Sequence, residues 1–335
     1  MLIDSRLPTL DALRGIGSLA VMWFHFSLQP YLFSNVINLS GKYGWLGVHV
    51  FFVVSGFVIP YAMVRSKFGV SDYWRFLLKR ITRLDPPYLV TILLIIGYRY
   101  LATTTPTYQG PPFHLSVTQT ILHVAYLNAF FEYEWFNPVF WSLAIEFQYY
   151  LAIGVLFPVL FNPNSYLRIA VVFALAALSF IPQPGGLIGP FMPLFLLGII
   201  TLQKYLGLLS LLAYIIVTIM LSVITMRVLG LAVAIVGSGT AILIAYVRIE
   251  SRVLAFFGLI SYSLDLLHAP IGLKVLQLAM ASVDNPYWSL VLTLAIIIPV
   301  VTIYYWLVEK PSQRLSARFG YKKEMRKCGN VSCAL

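Results

Sequence analysis

Residues 44–64 read GWLGVHVFFVVSGFVIPYAMV, a run without one Asp, Glu, Lys or Arg. About 20 apolar residues rising ~1.5 Å each cross the ~30 Å hydrocarbon layer of a bilayer, so this stretch is long enough to span one. Outward from it, further apolar blocks bounded by Pro, Gly or charge fall at about 12–32, 86–104, 117–131, 138–161, 166–181, 187–203, 206–226, 229–247, 253–280 and 288–308. Together they use up almost the whole chain of 335 residues, which is 60% hydrophobic and only 10% charged, with a mean hydropathy of +0.85. Soluble domains carry roughly 25% charged residues, so a water-soluble globule is excluded and no room is left for a separate soluble domain.

Charge decides how many blocks span. The balance is 23 Lys plus Arg against 12 Asp plus Glu, and basic residues collect on the cytoplasmic side of polytopic proteins. Eleven spans would put most of them outside. If the block at 117–131, short and interrupted by His123 and Asn128, does not cross, both termini lie inside together with 18 of the basic residues. The fold expected is therefore all-α: about ten transmembrane helices, plus a short buried or re-entrant helix over 117–131. Residues 1–311 form one membrane domain and 312–335 a basic cytoplasmic tail. Cys328 and Cys333 both fall in that tail and suggest neither a disulfide framework nor a metal site. Arg14 interrupts the first apolar run and no small-residue cleavage site follows, so the run reads as a retained span. The basic excess points to anionic lipid, not to nucleic acid.

After Ser71-Asp72, the residues Trp74, Leu77, Leu78 and Ile81 share one helical face and Arg75, Lys79 and Arg83 another, the pattern of an amphipathic helix on the cytoplasmic membrane surface. Asp85-Pro86-Pro87 is expected to end it, because a residue before proline is pushed out of the helical region.

Ionisable groups within spans are costly and each needs a partner or a task. Arg14 and His25 are eleven residues apart, which at ~100° per residue returns to nearly the same face ~16 Å further along. An always-charged guanidinium can grip phosphate or carboxylate, and an imidazole titrates where proton transfer is useful; alternatively Arg14 snorkels to headgroups and His25 bonds a neighbouring helix. His49 faces the same choice between chemistry and helix packing, and Ser55-Gly56 suits a close helix approach. In Trp141-Ser142-Leu143-Ala144-Ile145-Glu146, Ser142 and Glu146 are adjacent on a helix face, and a buried carboxylate is a natural partner for a buried Arg or His. Ser261, Asp265 and His268 form one stripe, with Pro270 expected to bend the helix beyond; a hydrolase triad is not read from it, since separate elements usually supply one. Tyr305 and Glu309 are again four apart, with Pro311 at the membrane exit.

These residues resemble the acyltransferase 3 family of integral-membrane O-acyltransferases. The strings that carry the likeness are Leu10-Asp11-Ala12-Leu13-Arg14-Gly15 running to His25, Gly47 to Phe57, Arg80-Ile81-Thr82-Arg83-Leu84, Trp141-Ser142-Leu143 with Glu146, Ser261-Tyr262-Ser263-Leu264 with His268, and Glu309-Lys310-Pro311, in order from first span to last. The sequence departs from the family at His49, where an acidic residue or Gln is common, and at Asp265, usually Tyr. The resemblance implies an inner-membrane enzyme that takes an acyl group, most commonly acetyl from acetyl-CoA, to a hydroxyl of a glycan, a lipid-linked saccharide or a similar acceptor. It assigns Arg14, His25 and Glu146 to catalysis and Arg80 and Arg83 to the acyl-CoA donor, without a metal. His49, Trp141, Ser142, Ser261, His268 and Glu309 are further candidates. Plain contact with lipid headgroups is the other reading of Arg80 and Arg83. The leading non-enzyme alternative is a proton-coupled secondary transporter, built from the same intramembrane groups, and a third is a catalytically inactive binding subunit.

Overall fold

The computed structural model describes residues 7–28, 35–104, 113–182 and 185–320; Cys328, Cys333 and the tail beyond 320 lie outside them. Among the described residues every regular element is helical. The chain runs through α1 (Pro8–Ser27), α2 (Asn35–Gly41), α3 (Gly47–Arg65), α4 (Tyr73–Thr103), α5 (Val117–Val124) and α6 (Phe140–Leu160). It continues through α7 (Ser165–Ala177), α8 (Met192–Tyr205), α9 (Leu211–Leu229), α10 (Leu231–Tyr246) and α11 (Arg252–Leu259). The last elements are α12 (Ser261–Leu267), α13 (Leu273–Ser282), α14 (Pro286–Tyr304) and α15 (Lys310–Ala317), the last of which crosses residue 311. Side-chain oxygens of Ser116, Asn164, Ser210, Ser251 and Asn285 accept from the first turns of α5, α7, α9, α11 and α14. They satisfy N–H groups that a helix start leaves without an intrahelical partner.

Each apolar block of the sequence contains helix. Six helical segments are long and apolar enough to cross a membrane: Val36–Arg65, Val70–Thr103, Phe140–Leu160, Leu211–Leu229, Ser261–Ser282 and Pro286–Ala317. The count of about ten is not reached by this measure. Asp11, Arg14 and His25 hold α1 out of the set, and α7, α8 and α10 are too short. The block at 117–131 contributes only the eight-residue α5 and one 3-10 turn. Eight residues rise about 12 Å, well short of the hydrocarbon core. The outward faces are apolar: Leu212, Ile216 and Ile219 on α9 are more than half exposed, a surface that suits lipid and would aggregate in water.

One expectation is corrected. The amphipathic segment is not a separate helix ended by Asp85-Pro86-Pro87, because α4 runs unbroken through both prolines. The segment also turns differently: Trp74 and Leu78 are exposed while Phe76 and Arg80 are buried. Prolines are tolerated inside membrane helices where neighbours supply donors to loosened carbonyls. The carbonyls loosened here are those of Thr82 and Arg83; close by, Tyr262 Oη donates to Leu84 O at 2.8 Å and Tyr304 Oη to Pro87 O at 2.5 Å, tying α4 to neighbouring elements beside the two prolines.

Two large apolar cores form. One gathers α3, α6, α8, α9 and α10 around Phe52, Tyr149 and Phe195; the other gathers α4, α12, α13 and α14 around Phe26, Tyr88 and Ile297. Glycines set the closest crossings. A Cβ on Gly15 would fall 2.3 Å from Leu254 O and one on Gly258 2.0 Å from Asp11 O, so α1 and α11 touch backbone to backbone; Gly56 and Gly198 do the same for α3 and α8. Close approach through small residues is how helices gain packing in a solvent as apolar as themselves.

Candidate functional site

Between the two cores lies a cavity of about 130 Å³. Its wall on the α3 side is mostly apolar, including Val48 and, three, four, ten and eleven residues further on, Phe51, Phe52, Val58 and Ile59, as one face of a helix requires. The opposite wall is charged: Arg14, Arg80 and Arg83 face the same space as Glu146, Asp265 and Glu309. The residues come from α1, α4, α6, α12 and the end of α14, which no local sequence window contains.

The anionic side is held in place. Glu309 is 2% exposed. Its Oε2 accepts from Ser263 N–H at 3.1 Å and Ser263 Oγ at 2.5 Å, and its Oε1 from Gln313 Nε2 at 2.9 Å. A carboxylate on the first turn of α12 is favoured by the helix dipole. It sits on the π-helical turn Tyr305–Glu309, and a second such turn, His268–Gly272, joins α12 to α13; single π turns inside α-helices often mark functional sites. Glu146 Oε1 accepts from Ser55 Oγ at 2.6 Å. Neither Arg14 nor His25 occupies that position, and Ser55, read from sequence as a packing residue, is the group that orients this carboxylate.

The cationic side is less fully paired. Arg14 Nη2 donates to Ser261 Oγ at 3.0 Å. Arg80 is 9% exposed, its guanidinium lies over the rings of Phe76 and Tyr150 at 5.6 and 5.7 Å, and its Nε is buried without an acceptor. Across the cavity, Asp265 Oδ1 is likewise buried without a donor. Native interiors satisfy nearly all buried polar groups, so orphaned ones ask for an explanation such as a ligand.

His25 is not on the cavity wall. It stands one turn beyond Val21, a wall residue, and pairs with His268: His268 Nε2 is 3.2 Å from His25 Nδ1, with ring centroids 5.0 Å apart. Ser261, Asp265 and His268 thus engage Arg14, the cavity and His25, not one another. Ser142, which also lines the cavity, donates to Val139 O at 2.9 Å. His49 and Trp141 lie apart from the charged wall, in an aromatic cluster with Trp45, Phe52 and Phe191. Asn137, which sequence reading missed, is fully buried and donates from Nδ2 to Leu266 O at 2.9 Å. That carbonyl would take the N–H of residue 270 in an α-helix, and Pro270 has none; a buried Asn near a helical proline is the only sequence cue.

Among the described residues, no group of three or more His, Cys, Asp or Glu side chains is placed to hold a metal ion. Comparison with known proteins fits these features to a lineage. A family model described as an acyltransferase domain matches residues 7–308. Acyltransferase MdmB of Streptomyces mycarofaciens is 32% identical over 151 residues, 44% of this chain and 38% of that protein. O-acetyltransferase OatA of Staphylococcus aureus is 26% identical over 188 residues, 52% of this chain and 29% of that protein. Peptidoglycan O-acetyltransferase OatA of Listeria monocytogenes is 25% identical over 193 residues, 49% and 27%. The chain thus spans less than two fifths of the length of these relatives. No solved structure matches it. With nearly the whole described chain matched by the family model, the chain belongs to the acyltransferase 3 family.

Proposed function

We propose that the protein is a membrane O-acyltransferase that moves an acyl group, acetyl from acetyl-CoA, to a hydroxyl of a glycan or lipid-linked saccharide. The observation that carries this reading is a cavity faced by Arg14, Arg80 and Arg83 together, with the His25–His268 pair one turn past its wall. The residues suit the donor. Arg80 has a buried N–H without an acceptor, and guanidinium groups bind phosphates through charge-assisted hydrogen bonds. A volume of about 130 Å³ is below the ~300 Å³ at which drug-sized ligands begin to fit. It favours a short acyl group on its thioester end over a long acyl chain, with the nucleotide held outside by Arg80 and Arg83.

In the reaction, the acceptor hydroxyl attacks the thioester carbonyl while His25 takes its proton. The C–S bond then breaks, and the His25 imidazolium returns the proton to the departing CoA thiolate. Direct transfer is preferred to an acyl-histidine intermediate. Arg14, held by Ser261, faces the negative charge that develops on the carbonyl oxygen. The apolar α3 wall keeps water from competing with the alcohol. Glu146, bonded to Ser55, balances the guanidinium charges. The membrane arrangement that goes with this is ten spans in the inner membrane with both termini cytoplasmic. The carbohydrate acceptor is supported by the printed activity of the Listeria relative, a peptidoglycan O-acetyltransferase.

Mass spectrometry of surface glycans from cells with and without the gene tests the acceptor class: loss of an O-acyl mass increment is expected, and unchanged glycans would remove it. Labelled acyl-CoA given to the detergent-purified protein separates enzyme from transporter. Only an enzyme forms a new covalent product there, whereas a transporter needs a sealed vesicle.

A further inference from the structure

We propose that Asp265 is the specificity-determining residue for the acceptor: it takes a hydrogen bond from a second hydroxyl of the incoming alcohol, so that the protein selects alcohols with two neighbouring hydroxyls over simple ones. This rests on the acyl-transfer reading above and narrows the acceptor to a chemical class. Glu146, Asp265 and Glu309 all line the cavity. Ser55 bonds Glu146, and Ser263 and Gln313 bond Glu309. Asp265 differs, with Oδ1 buried and without a donor. Arg14 faces the same space, but its Nη2 donates to Ser261 Oγ at 3.0 Å. An ionised carboxylate only accepts, and one with unfilled lone pairs beside a cavity is completed by a donor that arrives there. Asp265 is partly exposed, and its terminal torsion is soft and two-fold, so either oxygen can turn to the cavity.

The place of Asp265 on α12 says which molecule brings that donor. Ser261, Asp265 and His268 share one face at i, i+4 and i+7. Asp265 stands about 6 Å along the axis from Ser261, which holds Arg14, and about 4.5 Å short of His268, the neighbour of His25. It therefore lies beside the reacting atoms and not out along the nucleotide. An acetyl thioester has no donor there: its carbonyl oxygen, sulfur and methyl group cannot donate, and the first amide N–H of the pantetheine arm is set back from the sulfur by methylene groups. The donor comes from the alcohol. Its reacting hydroxyl has a single proton, which leaves with the base. A bond to Asp265 that holds from binding through transfer needs another O–H, and a hydroxyl on the neighbouring carbon is the nearest one. Saccharide rings supply it and simple alcohols do not. A site built to pair a substrate hydroxyl rejects the analogue without it, because its own buried group is then left unpaired.

The experiment gives the detergent-purified full-length protein acetyl-CoA and two probe alcohols of one shape, cyclohexane-1,2-diol and cyclohexanol, and reads the acetyl esters by mass spectrometry. The wild type is expected to favour the diol in kcat/KM by about 10- to 100-fold, the range of a hydrogen bond to a charged group, against the about twofold that the doubled number of hydroxyls gives by itself. Asp265→Ala is expected to reduce the preference to that statistical factor while the KM for acetyl-CoA stays close to its wild-type value. Asp265→Asn, whose carbonyl oxygen still accepts, is expected to keep most of the preference. A loss of turnover by about 10²-fold or more in Asp265→Asn would mark a general base instead and overturn the proposal. So would a wild type with no preference beyond the statistical factor, a preference that survives in Asp265→Ala, or a raised acetyl-CoA KM in its place. If both probes are poor acceptors, surface glycans of cells producing each protein decide: O-acyl content is expected to fall with Asp265→Ala and to be largely kept with Asp265→Asn, and equal content in all three overturns the proposal. The wild-type preference is read without any variant, so a misfolded variant does not shield the proposal. A wild type that acylates neither probe nor glycan sinks the acyl-transfer reading itself, whereas transfer without the diol preference sinks the role of Asp265 alone.

Discussion

Two buried histidine regions of this molecule use the same residue type to opposite ends. Around α5, His123 is satisfied on both nitrogens: Nδ1 donates to Gln119 O at 2.8 Å and Nε2 accepts from Phe136 N–H at 2.8 Å. Its ring stacks on Phe136 with centroids 4.0 Å apart, and Tyr88 Oη donates to its carbonyl. These contacts tie the short helix to Phe136 in the chain that follows and to α4, so His123 is a structural fastener. Around the cavity some polar groups lack a partner. Arg80 Nε and Asp265 Oδ1 are buried without partners, while His25 sits against a second histidine. His123 fastens the fold through its two ring bonds, whereas the partnerless Arg80 Nε and Asp265 Oδ1 belong to residues that line the cavity, where a substrate can meet them.

The sharpest way to break this contrast is to truncate both histidines. His25→Ala is expected to lower turnover by about 10²- to 10⁴-fold, the usual contribution of a general base, with the melting temperature nearly unchanged. His123→Ala is expected to leave turnover per folded molecule intact and to cost roughly 1–3 kcal/mol of stability, since it strands the Phe136 N–H. Matched thermal melts and rate measurements read both; an inactive, stable His123→Ala protein would erase the distinction. Next in size, Arg80→Ala with Arg83→Ala is expected to raise the KM for acyl-CoA by about 10- to 100-fold, on the scale of lost charge-assisted hydrogen bonds, and the acceptor KM far less. Equal loss of both would return these residues to a headgroup or folding role.

A pH effect on stability belongs to the fastened region. Burial first, and secondly the Arg99 charge, hold the His123 imidazole below its ordinary value of 6.5, against the opposing contact with Gln119. The unfolded chain therefore binds the extra proton first. The contribution of neutral His123 is present above pH ~6.5 and is lost as pH falls from there through the folded value. Thermal melts of wild type and His123→Gln between pH 5 and 8 should converge toward the acid end; parallel curves would contradict the assignment. The smallest expected effect is that of Ser55→Ala. It removes one hydrogen bond to Glu146 and should reduce kcat by roughly 3- to 10-fold, as a single hydrogen bond of about 1 kcal/mol permits.

How much of this was legible in the sequence follows the range of the interactions. Apolar blocks became helices because backbone hydrogen bonding in lipid is settled locally, and the shortness of 117–131 already showed that α5 cannot span. Arg14, Arg80, Arg83, Glu146, Ser261 and Glu309 were all named, since charge in an apolar span draws attention wherever it points. The unbroken course of α4 was not legible. Pro86 and Pro87 argue for a helix end, and the contacts that hold α4 beside them come from Tyr262 and Tyr304, 178 and 217 positions from the groups they bond. Ser55 as the partner of Glu146 and Asn137 as the partner of Leu266 O were hidden for the same reason: they lie 91 and 129 positions from the groups they satisfy.

Acceptor-dependent release of free CoA from acetyl-CoA by the detergent-purified wild type, beside His25→Ala at equal folded concentration, tests the core of this account. Release that tracks formation of acetylated alcohol in the wild type and falls to background in the variant is the expected result. An equal rate of product formation from both proteins would contradict it.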